Sequence, residues 1–168
     1  MKKIAPFLTF AGLLILIQFS CKKNNDPLGN PKGFVTKTSE CKLKSSELKN
    51  ITAATESCIV YDYFETTNVL KIWHHDAAFN CGMTKVTSDV SVKNDTLFIT
   101  ETETSQPANC DCLYDIEIEV RELKSGKYTI SIIEPYVGDQ QKLIFSVDLD
   151  KDPSGTHCVP RSNYPWGI

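Results

Sequence analysis

Asp115-Ile-Glu-Ile-Glu-Val-Arg121 is the stretch that decides the fold. Ile116, Ile118 and Val120 alternate with charged residues, so one side is apolar and the other charged at a period of two. Successive side chains point to opposite faces in a β-strand, whereas a helix repeats its apolar positions three and four apart. The pattern recurs outward in both directions. Downstream, Ser125-Gly126 turns the chain into residues 128–133, and residues 142–149 place Leu143, Phe145, Val147 and Leu149 on one face. Upstream, residues 86–92 and 96–104 flank Asn94-Asp95, a hairpin signal. Before them come residues 69–74 and 59–64, where Ile59, Tyr61 and Tyr63 alternate with Val60, Asp62 and Phe64. About seven strands punctuated by short turns predict an all-β, antiparallel sandwich. Only residues 45–54 suggest helix, through Leu48 and Ile51.

Leu123-Lys-Ser-Gly-Lys-Tyr128-Thr-Ile-Ser-Ile resembles the E–F corner of immunoglobulin-like and fibronectin type III domains. The resemblance implies a tyrosine that opens a strand and returns its hydroxyl to the backbone just upstream.

At the N-terminus, Lys2 and Lys3 precede an uncharged, largely apolar run over residues 4–19, and Ser20 precedes Cys21. Charge, apolar stretch and small residue are the layout of a secretory leader. The run is shorter than the roughly 20 residues of a spanning helix. The ending Phe19-Ser-Cys-Lys-Lys23 resembles the relaxed lipoboxes of Bacteroidota lipoproteins, despite Gln18 where leucine is usual. That resemblance implies cleavage before Cys21 and acylation of its sulfur; the alternative is an ordinary leader followed by a disulfide cysteine. Residues 22–33 are rich in Lys, Asn, Pro and Gly and read as a flexible tether. The expected division is a leader over 1–20, lipidated Cys21 and tether over 21–33, and the sandwich with its tail over 34–168. Asp26 is a single acid where surface-exported relatives carry a cluster, so the periplasmic and surface faces both stay open.

The chain has 168 residues and a formal net charge of −3. Two lysines leave with the leader, which takes the mature charge to −5. An acidic domain without a basic run speaks against nucleic-acid binding. Besides Cys21 there are Cys41, Cys58, Cys81, Cys110, Cys112 and Cys158, an even number in an exported domain. Such a set reads first as a disulfide framework, with connectivity open. In an extended strand Cys110 and Cys112 share a face, so each is expected to bridge a different neighbour. The expected pairs are Cys81 with one of them, Cys158 with the other, and Cys41 with Cys58.

His74 and His75 near Cys81 and Cys110-Asp-Cys112 raise a metal-site alternative, since thiolates and imidazoles are zinc ligands. The spacing of the cysteines fits zinc knuckles poorly, and His74 and His75 point to opposite faces of a strand, one packed and one exposed. No Gly-x-Ser-x-Gly elbow occurs, and no catalytic residue or cofactor is called for. Glu101/Glu103 and Glu117/Glu119 are expected on the solvent faces of sheets. Asp148, Asp150 and Asp152 suggest an acidic turn in preference to a calcium loop. Asn50-Ile-Thr52 and Asn94-Asp-Thr96 match the N-glycosylation triplet by chance, and Asp95-Thr96-Leu97 resembles the short O-glycosylation signal of Bacteroidota. Tyr164 and Trp166 in the tail are read as covering an open sandwich edge.

Phe79-Asn-Cys81, Asp95-Thr96, Asn109-Cys-Asp-Cys-Leu-Tyr-Asp115 and Gly126-x-Tyr128 together resemble uncharacterised Bacteroidota lipoproteins over residues 58–135. The expectation is a membrane-anchored envelope lipoprotein, in the outer membrane, that is a non-enzymatic module contacting an envelope protein or glycan. The alternative is a metal-associated or enzymatic accessory domain centred on His75, Cys81 and Cys110/Cys112.

Overall fold

The computed structural model describes residues 29–42, 56–106 and 108–162. Among them lie nine strands and no helix: β1 (Gly29–Thr38), β2 (Glu56–Phe64), β3 (Val69–Asn80), β4 (Met83–Lys93), β5 (Thr96–Ser105), β6 (Asp111–Leu123), β7 (Lys127–Ile133), β8 (Ile144–Asp148) and β9 (Ser154–Pro160). Cys21 and the leader, residues 45–54 with Asn50 and Thr52, and Tyr164 and Trp166 lie outside the described residues.

The strands form a two-sheet sandwich, one sheet ordered β1-β6-β3-β2-β9 and the other β4-β5-β7-β8. β6 sits between β1 and β3, and its apolar side is the floor of the core. Ile116, Ile118 and Val120 are at most 1% exposed. Ile118 lies opposite Ile72 and Val120 opposite Leu70 on β3. Leu97, Ile99, Ile130 and Ile132 are buried on the facing sheet. Asn94 and Asp95 both adopt positive φ, 49° and 58°, the backbone a tight two-residue hairpin requires. Phe145, Val147 and the residues either side at 143 and 149 pack together as their alternation implies.

Three differences from the sequence reading have physical causes. The sandwich is not wholly antiparallel, because β5 and β7 pair in parallel. The chain leaves β5, runs back through β6 in the opposite sheet, and so re-enters beside β5 in the same direction. The tether does not extend to residue 33: β1 starts at Gly29, with Lys32 opposite Arg121 and Gly33 opposite Val120. Backbone pairing to β6 needs no apolar side chains, and Pro31 falls in a register shift where no ladder N–H is required. β9 was also hidden, since Ser-Gly-Thr-His-Cys-Val-Pro shows no clean alternation.

The corner between β6 and β7 follows the resemblance. Leu123 is buried, and the Tyr128 hydroxyl donates to the Lys124 carbonyl at 2.9 Å. This turn carries the chain from one sheet to the other. On one side the two sheets close at a glycine. A Cβ on Gly33 of β1 would meet Ser88 Oγ of β4 at 2.5 Å, so only glycine lets these strands approach so closely. On the far side, the Phe145 ring of β8 stacks on His157 of β9 at 4.6 Å and lies 6.0 Å from Tyr61.

Candidate functional site

The site begins at a bulge. β3 and β6 stay in register to His74 opposite Ile116, then resume at Ala77 opposite Tyr114, so two residues of β3 face Asp115. Asp76 in this bulge has φ 61°, a region L-residues seldom occupy and aspartate tolerates better than most. Its conformation is tied down. The Asp76 amide donates to Asp115 Oδ1 at 3.1 Å, and Lys42 Nζ donates to Asp76 Oδ1 at 2.9 Å and Asp115 Oδ1 at 2.6 Å. His75 turns outward with Nδ1 3.3 Å from Asp115 Oδ1. Partial burial pushes the Asp115 carboxyl up, but the Lys42 and Asp76 hydrogen bonds and the nearby positive charge outweigh it and hold the pKa below the usual range. Burial pulls Lys42 down, and its two carboxylate partners more than restore it, to above its ordinary value.

Beside the bulge, the outer face of the sheet carries a groove of about 250 Å³ lined by Lys37, Ser39, Trp73, His75, Asp115, Ile116 and Glu117. Trp73 is half-buried between Val60 and Glu117 on the flanking strands. Further along the same face, Arg121 lies 4.7 Å from the Phe34 ring centre and Lys71 5.9 Å from that of Phe64. Glu117 and Glu119 do sit on this face, Glu119 held by Arg121 at 2.7 Å.

Directly beneath, on the inner side of the sheet, His74 is wholly buried. Its Nδ1 lies 2.8 Å from Glu101 Oε1 and its Nε2 2.9 Å from Ser57 Oγ. Glu101 is therefore not on a solvent face; it is 3% exposed and points between the sheets. Glu103 follows it inward and accepts from the Asn80 amide and, at 2.7 Å, from the Tyr136 hydroxyl, whose pKa that bond pushes up to about 12. The hydroxyl–imidazole–carboxylate order is that of a hydrolytic triad. The burial of all three groups points elsewhere. Ser57 Oγ also lies 3.3 Å from the His75 carbonyl, a second partner for its one proton. Burial alone would lower the His74 pKa, but Glu101 first and Glu134 next raise it above the ordinary value. Ser57 and His74 are both fully buried, which keeps any substrate from the hydroxyl.

A second buried pair completes the network. Arg161, just past β9, donates from Nη2 to both Glu134 oxygens at 2.8 Å and from Nη1 to the Gln141 carbonyl at 2.8 Å. Glu134 Oε1 is 3.8 Å from His74 Nε2. Burial raises the Glu134 pKa, opposed by His74 and Arg161. His74, Arg161, Glu101 and Glu134 thus form one buried network between the sheets.

The six cysteines form three disulfides: Cys41–Cys112, Cys58–Cys158 and Cys81–Cys110. Cys81 takes one of the Cys110/Cys112 pair as expected. Cys41 does not take Cys58, and Cys158 does not take the remaining partner. The reason is β9: it pairs with β2 so that Cys158 falls opposite Cys58, while Cys41 follows β1 and lies next to β6. Cys110 precedes β6, so strand alternation does not govern it; it is exposed where Cys112 is buried. Asp148 closes a turn, its carbonyl accepting from the Lys151 and Asp152 amides at 3.0 and 2.7 Å. Asn94 and Asp95 are exposed in the hairpin, with Thr96 beginning β5.

No protein-family model matches the chain, and neither a curated protein nor a solved structure matches it.

The buried network went unread in the sequence, although half its signal was there. His74 shares parity with Leu70 and Ile72, and Glu101 with Leu97 and Ile99, so both alternations aim a charged residue inward. Glu134 and Arg161 lie outside strands and carried no such cue.

Proposed function

We propose that the chain is a lipid-tethered envelope module that binds a glycan in the groove at Trp73 and performs no chemistry on it. The groove carries this reading. An indole face offers an apolar platform for a sugar ring, and Asp115, Glu117, His75, Lys37 and Ser39 around it offer acceptors and donors for hydroxyls. The bulge tied by Lys42 holds two of those groups in fixed positions, which lowers the ordering cost of binding.

The tether is short on this account. With β1 starting at Gly29, residues 22–28 separate it from Cys21, and a fully extended chain of that length reaches at most about 25 Å. The domain therefore works close to the membrane that holds it, which favours a ligand within the envelope. The alternative of a metal-associated domain at His75, Cys81 and Cys110/Cys112 needs free thiolates, and the pairing of all three cysteines in disulfides counts against it.

The test is titration of the mature protein in detergent with envelope glycan fragments, followed by tryptophan fluorescence. Trp73→Ala should abolish binding and the fluorescence change while the protein still unfolds in one cooperative transition, at a cost of about 1–2 kcal/mol for a half-buried side chain. Unchanged glycan affinity in Trp73→Ala would refute the groove.

A further inference from the structure

Two of the three disulfides are not independent. Cys41 and Cys112 are bonded to each other and Cys81 to Cys110, yet the sulfurs of Cys41, Cys81 and Cys112 all lie within 4.8 Å of one another. Their surroundings are graded. Cys110 is exposed, Cys81 and Cys41 are half-buried, and Cys112 is fully buried. A cavity of about 330 Å³ opens over the cluster, with Cys41, Cys81, Met83, Lys85 and Tyr114 among its lining residues. Exchange needs a thiolate beside a disulfide sulfur, and access decides which sulfur is attacked first. Here the exposed bond, once opened, places a thiolate against the buried one.

We propose that Cys81–Cys110 and Cys41–Cys112 form a thiol–disulfide relay that admits an external thiol at Cys110 and passes the opening inward through Cys81. The external thiolate bonds to Cys110 Sγ and expels Cys81 as a thiolate. Cys81 then bonds to Cys41 or Cys112, breaking their bond and expelling the other as a thiolate, which takes a proton from solvent. Each step makes one sulfur–sulfur bond and breaks one, so no further oxidant or reductant is required. The product leaves the segment after β1 joined to β6 by hydrogen bonds alone, because Cys41–Cys112 is the covalent link between them. Cys58–Cys158 joins β2 to β9 and takes no part, which makes it an internal control.

The experiment treats the folded, oxidised mature protein with glutathione, quenches by rapid alkylation and maps linked peptides by mass spectrometry. The relay gives glutathione on Cys110, a Cys41–Cys81 or Cys81–Cys112 linkage, and alkyl label on the third cysteine, with Cys58–Cys158 intact. Glutathione on Cys110 with label on Cys81 alone and Cys41–Cys112 unbroken would overturn it. A double variant, Cys81→Ser with Cys110→Ser, decides the same point by rate. Without the internal thiolate, Cys41–Cys112 should open at least about tenfold more slowly, as expected when an intramolecular attack becomes bimolecular. An unchanged rate of opening would equally refute the relay.

Discussion

Replacing Arg161 with methionine should lower the unfolding free energy by about 3–5 kcal/mol, the cost of leaving one partner of a buried ion pair uncompensated. The Arg161 side chain is fully buried and that of Glu134 nearly so, which keeps water from taking over the lost contacts. Of the charges left between the sheets, Glu101 and Glu134 would then face His74 alone. A loss of this size is a large share of the 5–15 kcal/mol that holds a typical domain together. Urea unfolding at constant m-value measures it. Arg161→Met combined with Glu134→Leu should recover most of the loss, because removing both charges leaves the apolar interior without an orphan. A single-variant loss below about 1 kcal/mol would mean that the pair is reached by solvent.

Stability should also fall as pH rises above 6.5. His74 has its pKa raised in the folded state by Glu101 and Glu134, against the pull of burial and the opposing charge of Arg161. A raised value means that the folded state holds the proton more tightly than the unfolded chain. The resulting stabilisation is complete below the unfolded value near 6.5 and is lost as pH climbs through the folded one. Within that window the slope approaches about −1.4 kcal/mol per pH unit for one proton. Glu134, also raised, acts in the same direction from a lower starting pH, and Asp115, lowered, matters only in acid. His74→Gln keeps a donor for Glu101 but cannot titrate, so its profile over this range should be flat. A wild-type profile that is flat or rising, or a slope that survives in His74→Gln, would show that the imidazole is not the group being read.

Alternation alone located most of the body of this protein. Residues 59–64, 69–74, 86–92, 96–104, 115–121, 128–133 and 142–149 each fall on or across an observed strand, and Asn94-Asp95 and Ser125-Gly126 mark real turns. These stretches have one buried side, so the core writes itself into their sequence. β1 and β9 are edge strands, held by backbone pairing and by Gly33 or Gly155 at close approaches, and such forces leave no period to read. Losing β9 cost the disulfide map too, because Cys158 finds Cys58 only once that strand is in place. At the site, the opposite faces of His74 and His75 were legible from parity. The bulge at Asp76 that sets them there depends on Lys42 and Asp115, residues far away in sequence. Glu101 was misread because acids on alternating strands usually face water; here His74 gives one a buried partner.

We propose a disulfide-closed sandwich tethered by lipid at Cys21, and an intact mass of the protein isolated from envelopes tests this most directly. Measured before and after denaturing reduction with alkylation, the chain should begin at Cys21 and carry acyl mass. It should show no alkylated thiol before reduction and six afterwards, one for each of Cys41, Cys58, Cys81, Cys110, Cys112 and Cys158. A chain cut elsewhere without acyl mass, or two or more thiols alkylated before reduction together with bound zinc, would contradict the account.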